Sequence, residues 1–220
     1  MNFDPPPNTL DRTNVCTRLA PEDPYPAAVH DSWETLLWLQ STGASLLSCD
    51  LTKVAVGGSS AGGNLAAIMC HKALSSSHVP KIIAQLLIVP VMDNTAWTDT
   101  NVSYKENEFT AALPAVKMLW YRKHYLPDEK TWAEPEASPL LYKDGWEKQP
   151  KALVVVGELD VLRSEGEAYA EKLRKAGVEA DLKIMKRMPH PFLAMDGALQ
   201  QGRDAITFMV EKLIETFTTK

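Results

Sequence analysis

The 220 residues carry 45% hydrophobic and 23% charged side chains, a balance that supports one buried core and excludes a disordered chain. A formal net charge of −5 and the lack of a basic run argue against nucleic-acid binding. Cys16, Cys49 and Cys70 have no Cys-x-x-Cys spacing, which points to reduced thiols in a cytoplasmic setting, and no apolar run is long enough to span a bilayer.

Residues 1–16 read as an irregular leader, because Pro5, Pro6 and Pro7 exclude helix and central strand alike. Pro21, Pro24 and Pro26 continue it as a loop. Over 27–39, Ala28, Leu36, Leu37 and Trp38 suit an amphipathic helix. A short buried strand is predicted at 54–57 and a helix at 64–74. The stretch 82–91 is nearly all apolar, as a parallel strand covered on both faces requires. Residues 93–110 are polar and irregular, 114–125 is an aromatic-rich helix, and 132–150 is a loop; 95–135 therefore reads as a small lid or cap-like insertion. A strand at 152–156, a helix at 164–176 stopped by Gly177, a strand at 182–185 and a helix at 202–217 complete the chain. Strands alternating with helices predict one α/β domain over 1–220, with a mostly parallel sheet flanked by helices.

Between the first strand and its helix stand Gly57, Gly58, Ser59, Ser60, Ala61, Gly62 and Gly63. Small residues are needed where backbone meets backbone, and G-x-S-x-G places Ser60 exposed on a tight strand-to-helix turn. The turn lacks the lysine of a P-loop and the spacing of G-x-G-x-x-G. A serine hydroxyl becomes a nucleophile when a base takes its proton, and the base is usually a histidine oriented by a carboxylate. In open parallel sheets ligands bind at the carboxyl edge of the strands. Asp160 follows the strand at 152–156 and His190 follows that at 182–185, so Ser60, Asp160 and His190 come in the order of a nucleophile-elbow hydrolase. Glu158 competes for the carboxylate role, and His30, His71, His78 and His124 compete for the base.

The segments TRLAPEDPYPAAVHDSWETLLWL, VGGSSAGGNLAA, SPLL, LDVLRSEGEAYAEKLRKAGV and MPHPF together resemble the hormone-sensitive-lipase-like branch of the α/β-hydrolases. That branch includes arylacetamide-deacetylase-like and microbial carboxylesterases, and the resemblance runs from Thr17 to the C-terminus. It implies a serine esterase for short- to medium-chain acyl esters, without metal or organic cofactor. Ser60 would be the nucleophile, His190 the base, Asp160 its orienter, and the Ala61 N–H an oxyanion donor. The resemblance further suggests Ser59, Trp97, Phe109, Leu113 and Trp120 as substrate-pocket residues, although these apolar side chains suit lid packing as well. Glu165 would cap its helix and shape a loop.

Two departures from the family pattern stand out. Ser59 replaces an aspartate, and no His-Gly-Gly-Gly motif precedes Arg18. The sequence therefore predicts missing N-terminal strands, a reduced oxyanion hole and an N-terminally truncated product. It also predicts an open sheet edge along 53–57 through which copies could associate. A catalytically impaired small-molecule binding module and an amidase both stay open as alternatives.

Overall fold

The computed structural model describes residues 12–218, so residues 1–11 of the expected leader lie outside the described part. Four apolar runs pair side by side in chain order: β1 (Val54–Ser59), β2 (Ile82–Ile88), β3 (Lys151–Gly157) and β4 (Ala180–Met185). All three pairings are parallel. Parallel neighbours need a crossover. α3 (Ala61–Ala73) makes it between β1 and β2, and α6 (Arg163–Lys175) between β3 and β4. Before the sheet, α1 (Ala27–Trp38) runs through a π-helical turn into α2 (Ala44–Leu47); after it comes α7 (Gln200–Thr218).

The pleat explains why β3 is apolar from Ala152 to Val156. Val154 and Val156 face a core shared with Ala66 and Ala67 of α3 and Tyr169, Ala170 and Leu173 of α6. Leu153 and Val155 face Phe192 and the α7 residues Ala205 and Met209. A strand covered on both faces has no position for a polar side chain. α1 packs Val29 and Leu36 on Ile68 and Met69 of α3. Among the described residues β1 pairs with β2 on one side only.

Several boundaries differ from the sequence reading for local reasons. α3 begins at Ala61 rather than at residue 64, because β1 runs through Ser59 and the chain turns at a single residue. β2 ends at Ile88: Val89 adopts a φ of 41° and its N–H turns to Val155 O at 2.7 Å. The 93–110 stretch contains α4 (Val102–Glu106), capped by the Asn101 side chain, which accepts from the Ser103 and Tyr104 N–H groups. α5 (Ala115–Tyr125) follows as expected. Among the described residues no helix is long and apolar enough to cross a membrane.

Candidate active site

The turn after β1 is built by close backbone contact. A Cβ on Gly58 would lie 2.4 Å from the Gly62 carbonyl carbon, and one on Gly63 would lie 2.9 Å from Pro90 Cβ and 3.1 Å from Gly58 O. A Cβ on Gly62 would meet nothing within 4 Å. Ser60 itself has φ 56° and ψ −115°, outside the favoured regions for an L-residue. Its N–H donates to Ile88 O at 2.8 Å, and its carbonyl accepts from Asn64 N at 3.1 Å and Val91 N at 3.4 Å.

Serine at a helix N-cap ordinarily folds its hydroxyl back onto the first turn. Ser60 occupies that position but makes no capping bond; its Oγ instead lies 2.9 Å from His190 Nε2. His190 Nδ1 is 2.8 Å from Asp160 Oδ2, while Asp160 Oδ1 accepts the Leu162 N–H at 3.0 Å. Asp160 is fully buried and the His190 side chain is 13% exposed. A carboxylate at Nδ1 fixes the tautomer that carries its proton there, leaving Nε2 to accept from the serine hydroxyl. The three residues singled out in sequence thus converge, 130 positions apart at the widest.

The competitors are placed elsewhere. Glu158 binds Lys186 Nζ at 2.9 Å and the Arg187 N–H at 2.7 Å, and these partners hold its carboxyl below its ordinary range. It clips the exit of β4 rather than orienting the imidazole. His71 is buried, stacked on Tyr142 at 4.0 Å and bonded through Nδ1 to Gln149 at 3.0 Å; burial pushes its pKa down to about 3. His124 lies against Trp120, and His30 and His78 are exposed.

Ala61, Gly62 and Gly63 precede the first intrahelical bond of α3, the one from Asn64 N to Ser60 O. Their N–H groups form the positive end of a helix, beside the Ser60 hydroxyl. The expected Ala61 donor belongs to this set.

The pocket residues do not converge in the same way. Ser59 is exposed at the end of β1. Phe109 is 88% exposed, and Trp120, 56% exposed, meets the Tyr121 ring edge-on and the His124 ring at a tilt. Leu113 is buried with Val91, Tyr104, Val161 and Leu162, and Trp97 packs on the same cluster. Leu113 and Trp97 therefore serve as core for the insertion between β2 and β3, which corrects the expectation of a shared pocket wall. A cavity of about 120 Å³ does touch Ala61; Leu19, Ala28, Asn64, Leu65 and Tyr125 also line it. A larger groove of about 560 Å³, lined by Glu34, Trp38 and His78, shares no residue with the Ser60 cluster.

Supporting residues emerge that the sequence did not single out. Asn107 Nδ2 donates to Asp160 O at 3.2 Å. Ser103 Oγ donates to Val161 O at 2.6 Å, so α4 braces the loop that carries Asp160. Asn64 Nδ2 donates to Val91 O and Ala137 O at 2.8 and 2.9 Å. Glu165, on the first turn of α6, does not cap its own helix as expected. Its Oε2 accepts the N–H groups of Met92 and Asp93, and burial raises its pKa to about 8 against the pull of those bonds. Its other half of the expectation, loop shaping, fits these contacts. Among the described residues no three His, Cys, Asp or Glu gather as metal donors.

Residues 13–194 match the family described as alpha/beta hydrolase fold. An AB hydrolase superfamily protein of Schizosaccharomyces pombe is 53% identical over 192 residues, covering 86% of this chain and 56% of that protein. The carboxylic ester hydrolase LipN of Mycobacterium tuberculosis is 38% identical over 180 residues, covering 80% of this chain and 47% of LipN. Among solved structures, the thermostable carboxylesterase EstE1 from a metagenomic library superposes with a TM-score of 0.84 at 33% identity, covering 92% of this chain and 68% of that one. The chain spans about half the length of the curated relatives it matches.

Proposed function

This chain belongs to the α/β-hydrolase fold family, and on that premise we propose that it is a serine carboxylic-ester hydrolase acting on short- to medium-chain acyl esters. The observation that carries the reading is the unbroken line from Ser60 Oγ through His190 Nε2 and Nδ1 to Asp160 Oδ2. Relatives named as carboxylic ester hydrolase and carboxylesterase support the same class.

In this mechanism Ser60 Oγ attacks the ester carbonyl carbon while its proton passes to His190 Nε2. Asp160 stabilises the imidazolium without taking the proton. The Ala61 N–H faces the developing oxyanion at the start of α3. The bond to the alcohol oxygen then breaks, and His190 returns the proton to that oxygen. Water attacks the acyl-serine with His190 again as base, releasing the acid and restoring Ser60.

The experiment is hydrolysis of p-nitrophenyl acetate, butyrate and decanoate by the chain and by Ser60→Ala. Turnover of acetate and butyrate that exceeds that of decanoate and disappears in Ser60→Ala is the expected result. Equal background rates with two folded proteins would overturn it.

The reading extends to self-association: among the described residues β1 bonds to a strand on one side only, and a second copy is the proposed partner of its other edge. Sedimentation of the chain across concentration tests this, with a single monomeric species as the contrary result.

A further inference from the structure

Glu165 stands outside the proton relay, yet it is buried at 1% exposure and accepts two backbone N–H groups on one oxygen, from Met92 and from Asp93 at 2.7 Å. Met92 and Asp93 lie in the loop that leaves β2. The same loop, together with the last residue of β2, holds the nucleophile's backbone. Ile88 O receives the Ser60 N–H, Val91 N donates to Ser60 O, and Val91 O receives Asn64 Nδ2. Pro90 packs on Gly63, where an added Cβ would lie 2.9 Å from Pro90 Cβ, and it also borders Gly166, where an added Cβ would lie 3.6 Å from Pro90 Cδ.

This loop is not a relaxed structure. Val89 is a β-branched residue with φ 41°, a conformation that persists only where the surroundings impose it. On one side of the loop the elbow presses; on the other the Glu165 oxygen anchors the Met92 and Asp93 N–H groups. Without that acceptor two N–H groups beside a buried core would be left unpaired, and the loop would move to find water.

We infer that Glu165 is a positioning residue for Ser60, acting through the loop after β2: the Glu165 carboxyl fixes Met92 and Asp93, Val91 in the same loop fixes the Ser60 carbonyl, and Ile88, the strand residue from which the loop departs, fixes the Ser60 N–H. The inference rests on Ser60 being the nucleophile proposed above. A nucleophile displaced by a fraction of an ångström loses near-attack geometry, which lowers kcat and leaves substrate binding in place.

Three variants test it. Glu165→Gln keeps an oxygen that accepts both N–H groups, Glu165→Asp retracts the acceptor by one methylene, and Glu165→Ala removes it. Turnover of p-nitrophenyl butyrate is measured per active site, with sites counted by fluorophosphonate titration so that unfolded protein drops out. The expected result is a fall in kcat of about 10²-fold for Glu165→Ala, with KM within about threefold of the parent. Glu165→Asp falls by about tenfold, and Glu165→Gln stays within about threefold. If Glu165→Ala does not fold, the ranking of Asp below Gln decides. Unchanged kcat per titrated site in Ala and Asp, or a Gln variant as slow as Ala, overturns the inference and leaves Glu165 a stability residue. Amide hydrogen exchange at Ser60 and Asn64, referenced to Ile184 in β4, reads the elbow without turnover. If the parent neither turns over nor reacts with fluorophosphonate, the esterase reading fails by itself. Selective loss of protection at Ser60 and Asn64 in the Asp variant then still upholds the positioning role, and unchanged protection overturns it.

Discussion

The two glycines that bracket Ser60 look equivalent in the G-x-S-x-G pattern, but they should respond oppositely to an added methyl group. A Cβ on Gly58 would sit 2.4, 2.5 and 2.8 Å from the carbonyl carbon, oxygen and Cα of Gly62. All three are backbone atoms, so no rotamer change relieves the clash and α3 must shift at its start. Overpacking of this kind costs typically about 1–3 kcal/mol, occasionally more. A Cβ on Gly62 meets nothing within 4 Å, and the residue lies in the first turn of α3. Replacing a helical glycine by alanine stabilises by about 0.5–1 kcal/mol, largely through the unfolded chain. Gly58→Ala should therefore lower the free energy of unfolding and Gly62→Ala should leave it level or raise it, a separation of about 1–4 kcal/mol. Urea denaturation followed by tryptophan fluorescence measures both. Gly58→Ala should also cut esterase turnover by about 10²-fold, since it displaces the residue that carries the nucleophile. Equal destabilisation by the two substitutions, or a Gly58→Ala protein as stable as the parent, would refute the packing argument.

Asp160→Asn should lower kcat by about 10⁴-fold with the fold retained by circular dichroism. Its amide offers one acceptor where Leu162 N and His190 Nδ1 now use two, and the wrong imidazole tautomer results. A loss under tenfold would remove Asp160 from the relay. Stability should also bend with pH at both ends. Glu165 has its carboxyl raised from 4.5 to about 8, so the folded state keeps a proton that the unfolded chain releases. That contribution is complete below about pH 4.5 and is lost as pH rises through about 8, an effect on the order of 3–5 kcal/mol. His71 has its pKa lowered from 6.5 to about 3, so its contribution is complete above about pH 6.5 and is lost as pH falls toward 3. Urea midpoints from pH 4 to 9 should flatten on the alkaline side in Glu165→Gln and on the acid side in His71→Phe. Curves that stay parallel to the parent's would contradict both assignments.

The proposed triad of Ser60, Asp160 and His190 was legible because its members are chemically distinctive and each follows a predicted strand. β3 announces itself as five consecutive apolar residues, and the sequence places Asp160 just beyond them. The pocket was not legible. Trp97, Phe109, Leu113 and Trp120 are apolar at spacings that fit a pocket wall and a packed insertion equally well, and only tertiary contact separates Leu113 in a core from Phe109 in solvent. The braces at Asn64, Asn107 and Ser103 were invisible for another reason. Short polar side chains carry no periodicity, and their partners Val91, Asp160 and Val161 lie 27 to 58 residues away. α4 escaped notice because its sequence, VSYKE, is short and polar, and its stability comes from the Asn101 cap and from docking on α6.

The central claim is that Ser60 is a nucleophile activated by His190. The most direct measurement is intact-mass spectrometry after treatment with a fluorophosphonate, with the modified residue located by peptide mapping. The account predicts one adduct per chain, on Ser60, absent in Ser60→Ala and formed far more slowly in His190→Ala. A folded chain that takes no adduct, or one that takes it equally well after Ser60→Ala, would contradict the claim.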